Sequence, residues 1–214
     1  AIIIHDGKKR SSFISFFLKS KKKIHTKSKK TKSQIEPIKE ILNTLNFKFF
    51  SDSLNTINQS KLSTKKNSYI QLHFDEKWIY NDYIKNYINI EPTKDELLVF
   101  VKNLIKKSNK KIIITTGLSP PRILNKIVNS YVNKNLEYKI SLNFYKLQKI
   151  VRDAEILISC HGAISHVAAA FKTRQIDIID KSYDYNKWTE HFRNYSCVYR
   201  DKFNNLSSLI VNKL

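Results

Sequence analysis

The chain has 214 residues and a formal net charge of +21, from 39 Lys and Arg against 18 Asp and Glu. Hydrophobic residues make up 41%, enough to bury a core, which excludes wholesale disorder, and 3 Gly and 4 Pro exclude collagen-like and linker-like classes. Two cysteines, Cys160 and Cys197, make no disulfide framework, no CxxC spacing points to zinc, and no apolar run approaches the ~20 residues that span a bilayer. Reduced thiols in a reducing compartment fit this cysteine usage. The chain contains no Met and opens at Ala1 directly into Ile2-Ile3-Ile4, the reading expected of a truncated or processed product.

The charge is unevenly spread. Residues 1–66 carry a net +12 and residues 67–214 a net +9. The densest stretch, from Lys8 to Lys32, holds 11 basic residues and no acid. Such a patch attracts polyanions, among them anionic lipid headgroups. Compositional drift in an A- and T-rich genome also yields Lys, Ile and Asn in abundance, and the chain has 33, 29 and 20 of them. Lys outnumbers Arg more than fivefold, and few rings interleave residues 19 to 32. A surface that reads bases needs guanidinium forks and stacking aromatics, so this composition argues against nucleic acid.

In chain order, Ile2 to His5 reads as a short strand, and Ser11 to Leu18 as a helix with Phe13, Phe16 and Phe17 on one face. Ile24 to Thr26 suggests another strand. Gln34 to Leu45 carries a helical stripe of Ile35, Ile38, Ile41, Leu42 and Leu45. Residues 51–66 are polar and read as a linker. Beyond them the alternation is regular. Tyr69 to Phe74 is a strand; Thr93-Lys94-Asp95-Glu96 is a capping box opening a helix. Lys111 to Thr116 contains the unbroken run Ile112-Ile113-Ile114, expected of a strand covered on both faces. A helix follows Pro120 and Pro121. Then come strand Tyr138 to Ser141, helix Tyr145 to Asp153, strand Glu155 to Ser159, helix Ile164 to Phe171, strand Gln175 to Ile179 and a closing helix from Leu206 to Leu214. Repeated β-α units with short connections imply a parallel sheet with helices on both faces, with ligands beyond the carboxyl ends of the strands.

The stretch from Ile156 to Phe171 carries the chemistry. A buried strand runs into Cys160-His161-Gly162-Ala163 and then into a helix rich in small residues. The turn offers backbone N–H groups at the positive end of a helix dipole, an anion site. Gly162 is one of three glycines. The alternative is a tight turn with a satisfied core histidine. His166 is expected to be mostly buried with its ring toward the cleft, and His161, on the loop, more exposed.

Residues 143–180 resemble the nucleotide-sugar-binding part of glycosyltransferase family 9, the ADP-heptose:lipopolysaccharide heptosyltransferases. Ile150-Val-Arg-Asp-Ala154, the strand after it, and His166-Val167-Ala168-Ala169-Ala170 match the family pattern. His161, Gly162 and Ala163 stand where the family has Asp-Thr-Gly. The strand into Asp75-Glu76-Lys77-Trp78 resembles the family step that ends in a phosphate-binding lysine, and Thr115-Thr116-Gly117 resembles the strand end beside the nucleoside. Ile2 to Gly7 followed by Arg10-Ser11 resembles a late strand of the family's first domain.

The resemblance implies an α/β, GT-B-like chain of two Rossmann-like domains with parallel sheets, the first incomplete: 1–50 the remainder of the acceptor-side domain, 51–66 the linker, and 67–214 the nucleotide-sugar domain. It implies donor phosphate contacts from Lys77, His161, Gly162, Ala163, Ser165 and His166, with nucleoside contacts from Thr116 and Gly117. Trp188, His191 and Arg193 follow the strand 175–179 and are candidates for pocket lining. The family's catalytic base is expected upstream of Ala1, so no catalytic residue is assigned. The partners implied are a nucleotide-sugar as substrate and a glycan or lipid-linked acceptor. No cofactor and no metal are expected, and no Asp-x-Asp lies in a loop. The expected location is cytoplasmic, with peripheral contact to an anionic inner membrane through residues 8–32. The alternatives are a polyanion-binding protein and a catalytically inactive GT-B domain.

Overall fold

The computed structural model describes residues 2–4, 13–14, 16–25, 35–48, 69–79, 87–128 and 131–214. The chain divides into two compact units: residues 1–54 with 184–191, and residues 55–183 with 192–214. The expected linker at 51–66 lies outside the described residues.

In the first unit, β1 (Ile2–Ile4) and β2 (Lys23–His25) pair in parallel with Ile3 opposite Ile24. Ile24 is buried. The helix α1 (Ile35–Thr44) tolerates Pro37 because it falls in the first turn, where the missing N–H has no intrahelical partner. Its stripe buries Ile41, and Ile38 remains exposed. Residues 13–14 and 16–17 are helical as expected, but their apolar face is exposed rather than packed into a core.

The second unit holds a six-stranded sheet: β3 (Tyr69–His73), β4 (Lys111–Thr115), β5 (Leu136–Lys139), β6 (Ile156–Cys160), β7 (Arg174–Ile179) and β8 (Tyr195–Tyr199). All strands run parallel, in the order β5-β4-β3-β6-β7-β8. Its helices are α2 (Lys94–Ser108), α3 (Arg122–Val128), α4 (Phe144–Asp153), α5 (Ala163–Ala170) and, after β8, a closing helix at Phe203–Asn212. The short α6 (Asn186–Thr189) belongs to the first unit, so the closing helix is α7.

Local chemistry starts and stops these elements. Thr93 Oγ1 accepts from the Glu96 N–H and the Glu96 carboxylate accepts from the Thr93 N–H at 2.8 Å, closing the capping box of α2. Asn109 ends α2 in the left-handed conformation at φ 54°. Ile112 and Ile114 point to one face of the sheet, where they pack with Leu97, Phe100 and Leu104 of α2, Leu124 and Ile127 of α3, and Phe203 and Leu206 of α7. Leu157 points to the other, under Leu147 and Val151 of α4 and Ile164 and Ala168 of α5. The chain thus winds from β3 to β5 along one face, crosses, and winds from β6 to β8. Strands β3 and β6 are neighbours at the point where the order reverses, and in sheets of this kind ligands bind beyond the carboxyl ends of the strands at that point.

Candidate functional site

A row of buried polar residues crosses four strands at this end of the sheet, on the α4/α5 face. Thr115, His73, Ser159 and Asp177 stand opposite one another in register and are all buried. Register places them together, and a one-residue slip would turn each to the other face.

On the β3 side, Gln71 Nε2 donates to Thr115 Oγ1 at 2.8 Å. The threonine hydroxyl hydrogen then serves His73 Nδ1 at 3.1 Å, which leaves the ring proton on Nε2, the nitrogen 3.7 Å from Asp75 Oδ2. Burial pushes the His73 pKa down to about 4; Asp75 opposes this and Lys77 adds to it. Asp75 caps the 3₁₀ turn Glu76–Trp78 by accepting from the Lys77 N–H, and its second oxygen accepts from Lys77 Nζ at 2.7 Å. For Lys77, burial alone would lower the pKa, but the charge and hydrogen bond of Asp75 outweigh it and the net shift is upward, so the ammonium stays charged.

On the β6 side, Asp177 is fully buried and accepts from three groups: Ser165 Oγ at 2.7 Å, Ser159 Oγ at 3.2 Å and His161 Nδ1 at 2.7 Å. The carboxylate fixes the imidazole plane and makes Nδ1 the donor nitrogen. Ser165 Oγ also accepts from the Gly162 N–H at 3.3 Å, which ties the loop to the first turn of α5.

The two sides meet at Gly162. A Cβ there would stand 3.0 Å from Lys77 Nζ and 3.1 Å from Lys77 Cε. The Gly162 φ of 174° is extended backbone open to any residue, so glycine serves here by leaving room for the lysine. Lys77, Gly162, Ala163 and Ser165 therefore converge at the amino end of α5 beside the carboxyl ends of β3 and β6. The arrangement joins an ammonium and the N–H groups of a first helical turn, which together suit a diphosphate.

The two histidines exchange the exposures expected of them. His166 is exposed, and the His161 side chain retains only 12% of its accessible surface. On α5, Ile164, Ser165, Ala168 and Ala169 face the sheet, so position 166 falls on the outer side, and Asp177 draws His161 inward. The His166 ring still lies near the loop, with its centroid 5.7 Å from His161 and 5.0 Å from Phe192.

Thr116 is buried at the end of β4. Its hydroxyl accepts from the Ser141 N–H at 3.0 Å and donates to the Gly117 carbonyl at 2.8 Å. Nothing lies within 4 Å of a Cβ built on Gly117, so no steric demand for glycine exists there. Trp188 and His191 fall in the first unit, and Arg193 is exposed in the second. The 184–200 stretch also contains β8, a sixth strand that the expected elements omit, and α6.

Sequence reading missed Asp177, His73, Asp75 and Arg200. Arg200, directly after β8, is 6% exposed. Its Nη2 donates to the Lys77 carbonyl at 2.7 Å and lies 3.5 Å from Cys160 Sγ, while Nη1 reaches the Ile88 carbonyl at 3.4 Å. The guanidinium lies 5.3 Å from the centroid of the Tyr87 ring. It thus braces the backbone that carries Lys77. Among the described residues, no group of three or more His, Cys, Asp or Glu is placed to hold a metal ion.

No protein-family model matches the chain, and no curated protein matches it in sequence. Solved structures do. The E. coli heptosyltransferase WaaC with ADP superposes with a TM-score of 0.59 at 11% identity, over 89% of this chain and 60% of that one. The same enzyme with ADP-2-deoxy-2-fluoro heptose gives 0.58 at 11% identity, over 89% and 59%. The E. coli ADP-heptose lps heptosyltransferase II gives 0.51 at 10% identity, over 76% and 49%. The chain spans about 60% of the length of the WaaC structures. The likeness is one of fold: this is an α/β chain resembling the GT-B heptosyltransferases.

Proposed function

We propose that the chain is the nucleotide-sugar-binding portion of a glycosyltransferase of heptosyltransferase type, with the donor diphosphate seated over the carboxyl ends of β3 and β6. One observation carries the reading: at the reversal point of the sheet, Lys77 and the amino end of α5 converge, and Gly162 keeps the lysine's path open. In the transfer, negative charge develops on the departing diphosphate. The Lys77 ammonium and the first-turn N–H groups of α5 stabilise it, which removes the need for a metal or a cofactor. Thr116 and Gly117, at the end of the neighbouring β4, are the nucleoside side of the site. The acceptor is a glycan or lipid-linked hydroxyl compound, and no described residue is assigned as the base that deprotonates it. A heptose donor is favoured by the ADP-heptose analogue in a fold neighbour.

Titration calorimetry of the chain with ADP and other nucleoside diphosphates tests this. Binding with modest salt dependence, weakened about tenfold in Lys77→Ala, is the expected result, the scale of one charge-assisted contact. Affinity unchanged in Lys77→Ala would reject the site. Affinity that collapses steeply with salt would favour generic polyanion binding.

A further inference from the structure

The two edges of the six-stranded sheet differ. On β5, Glu137 pairs with Lys111 at 2.6 Å and with Lys139 at 3.2 Å, and charge along an edge discourages another strand from joining it. On β8, Tyr195-Ser-Cys-Val-Tyr199 carries no charge, and its aromatic and branched residues favour extended chain. The Gln175 N–H donates to the Asn194 carbonyl at 3.0 Å, and the Arg200 N–H donates to the Ile179 carbonyl at 2.8 Å. With the register of β7 and β8, this turns the backbone groups of Asn194, Ser196, Val198 and Arg200 toward β7. Tyr195, Cys197 and Tyr199 turn theirs the other way, where the strand order ends. Their side chains share one face of the sheet; Cys197 is half-buried and Tyr199 is 48% exposed. On the other face, α7 packs Phe203 and Leu206 with Val198 and leaves Leu209 exposed. An uncharged edge of this kind is a template for another strand.

We infer that β8 pairs antiparallel with β8 of a second copy of the chain, across a two-fold axis at Cys197, and so joins two sheets into one. Pairing centred there sets Cys197 against Cys197 and Tyr195 against Tyr199, and each facing pair exchanges both of its backbone hydrogen bonds. No other register gives all of these outward groups a partner within the strand. The tyrosines form cross-strand aromatic pairs, made twice by the symmetry. The ends of the strand then complement each other in charge. Exposed Arg193 comes opposite Asp201 of the second copy, on the same face, and Asp201 opposite its Arg193. This match selects a copy of the chain over a foreign strand, because one sequence supplies both halves of every pair. The inference is independent of the nucleotide site.

Sedimentation velocity of the full chain across micromolar concentrations tests it, in moderate salt that screens the +21 on each copy. The dimer should grow with concentration. Cys197→Lys sets like charges together on the axis and should weaken the dimer about tenfold or more, while the backbone bonds to β7 stay in place. Arg193→Asp and Asp201→Arg should each weaken it, and the double variant, with the charges exchanged, should restore it. Oxidation by copper-phenanthroline and oxygen should link the wild-type dimer through Cys197, since facing Cα atoms in such a pair lie ~5.5 Å apart and Cys160 is buried. Cys197→Ser should abolish the link and keep the dimer. The link is a readout that stands even if the charged variants misfold. A monomer at every concentration would leave the edge to a strand of some other protein and would overturn the proposal. So would a dimer indifferent to both Cys197→Lys and the charge exchange, or a wild-type dimer that oxidation does not link.

Discussion

Lys77 Nζ lies 3.0 Å from the point at which a Cβ on Gly162 would stand. The contact links the end of β3 to the start of α5 through one flexible side chain, and it defines what an added methyl group does. Gly162→Ala leaves the backbone at ease, because a φ of 174° suits any residue. What the methyl meets is the far end of a lysine, which can move aside. Stability by urea titration should therefore change by no more than ~0.5 kcal/mol. The ammonium, however, is pushed off its position, so ADP affinity should fall severalfold. An alanine variant that binds ADP like the wild type would show that the lysine does not act from that position.

The three donors on Asp177 give a second test. Asp177→Ala strands the Ser159 and Ser165 hydroxyls and the His161 N–H in a buried place, and stability should fall by about 2–4 kcal/mol. Asp177→Asn keeps the shape but withdraws the charge that holds the imidazole; the expected loss is about 1–2 kcal/mol, with weaker ADP binding. If the Asn variant keeps both stability and ADP affinity, the carboxylate charge does nothing for the loop.

Much of this fold could be read from residue order. The Thr93/Glu96 capping box, the Ile112 to Ile114 run and the strand before His161 each declared their elements locally, and with them the parallel α/β sheet. The convergence of Lys77 with Gly162 was anticipated through a family resemblance. Asp177 was not, because its role depends on register: only the pairing of β6 with β7 sets it opposite Ser159. Strand β8 was hidden because Tyr195-Ser-Cys-Val-Tyr199 is an edge strand with a single fully buried position, Val198. The histidine exposures were reversed because α5 is apolar nearly all round, so its sequence gives no sign of which face meets the sheet.

His73 should make the protein acid-sensitive in a defined window. Its folded pKa of about 4 lies below the ordinary value of 6.5, with burial as the first cause. In the window between these values the unfolded chain binds a proton that the folded chain refuses, so stability falls with pH. The contribution is complete above pH 6.5 and is lost as pH drops toward 4. At about 1.4 kcal/mol per pH unit the total is about 3 kcal/mol. His73→Gln cannot titrate. The stability gap between wild type and this variant, from urea titrations at several pH values, should narrow in the variant's favour by that amount between pH 7 and 4. A gap independent of pH would mean that His73 is as readily protonated folded as unfolded.

Arg200 is predicted to act on the nucleotide through Lys77 rather than directly. Its Nη2 holds the Lys77 carbonyl, and its other contacts are the Ile88 carbonyl, Cys160 Sγ and the Tyr87 ring. A lysine at this position carries the charge but not the fork, so Arg200→Lys loses at least one of the two carbonyl contacts. Stability should drop by about 1–3 kcal/mol, the scale of a buried charge-assisted hydrogen bond. ADP affinity should drop as well, because the turn that carries Lys77 is no longer braced. The double-mutant cycle separates bracing from direct contact. If Arg200 works through Lys77, then Arg200→Lys should weaken ADP binding in the wild type but have little further effect once Lys77 is alanine. Additive losses in the double variant would instead give Arg200 a contact of its own with the diphosphate.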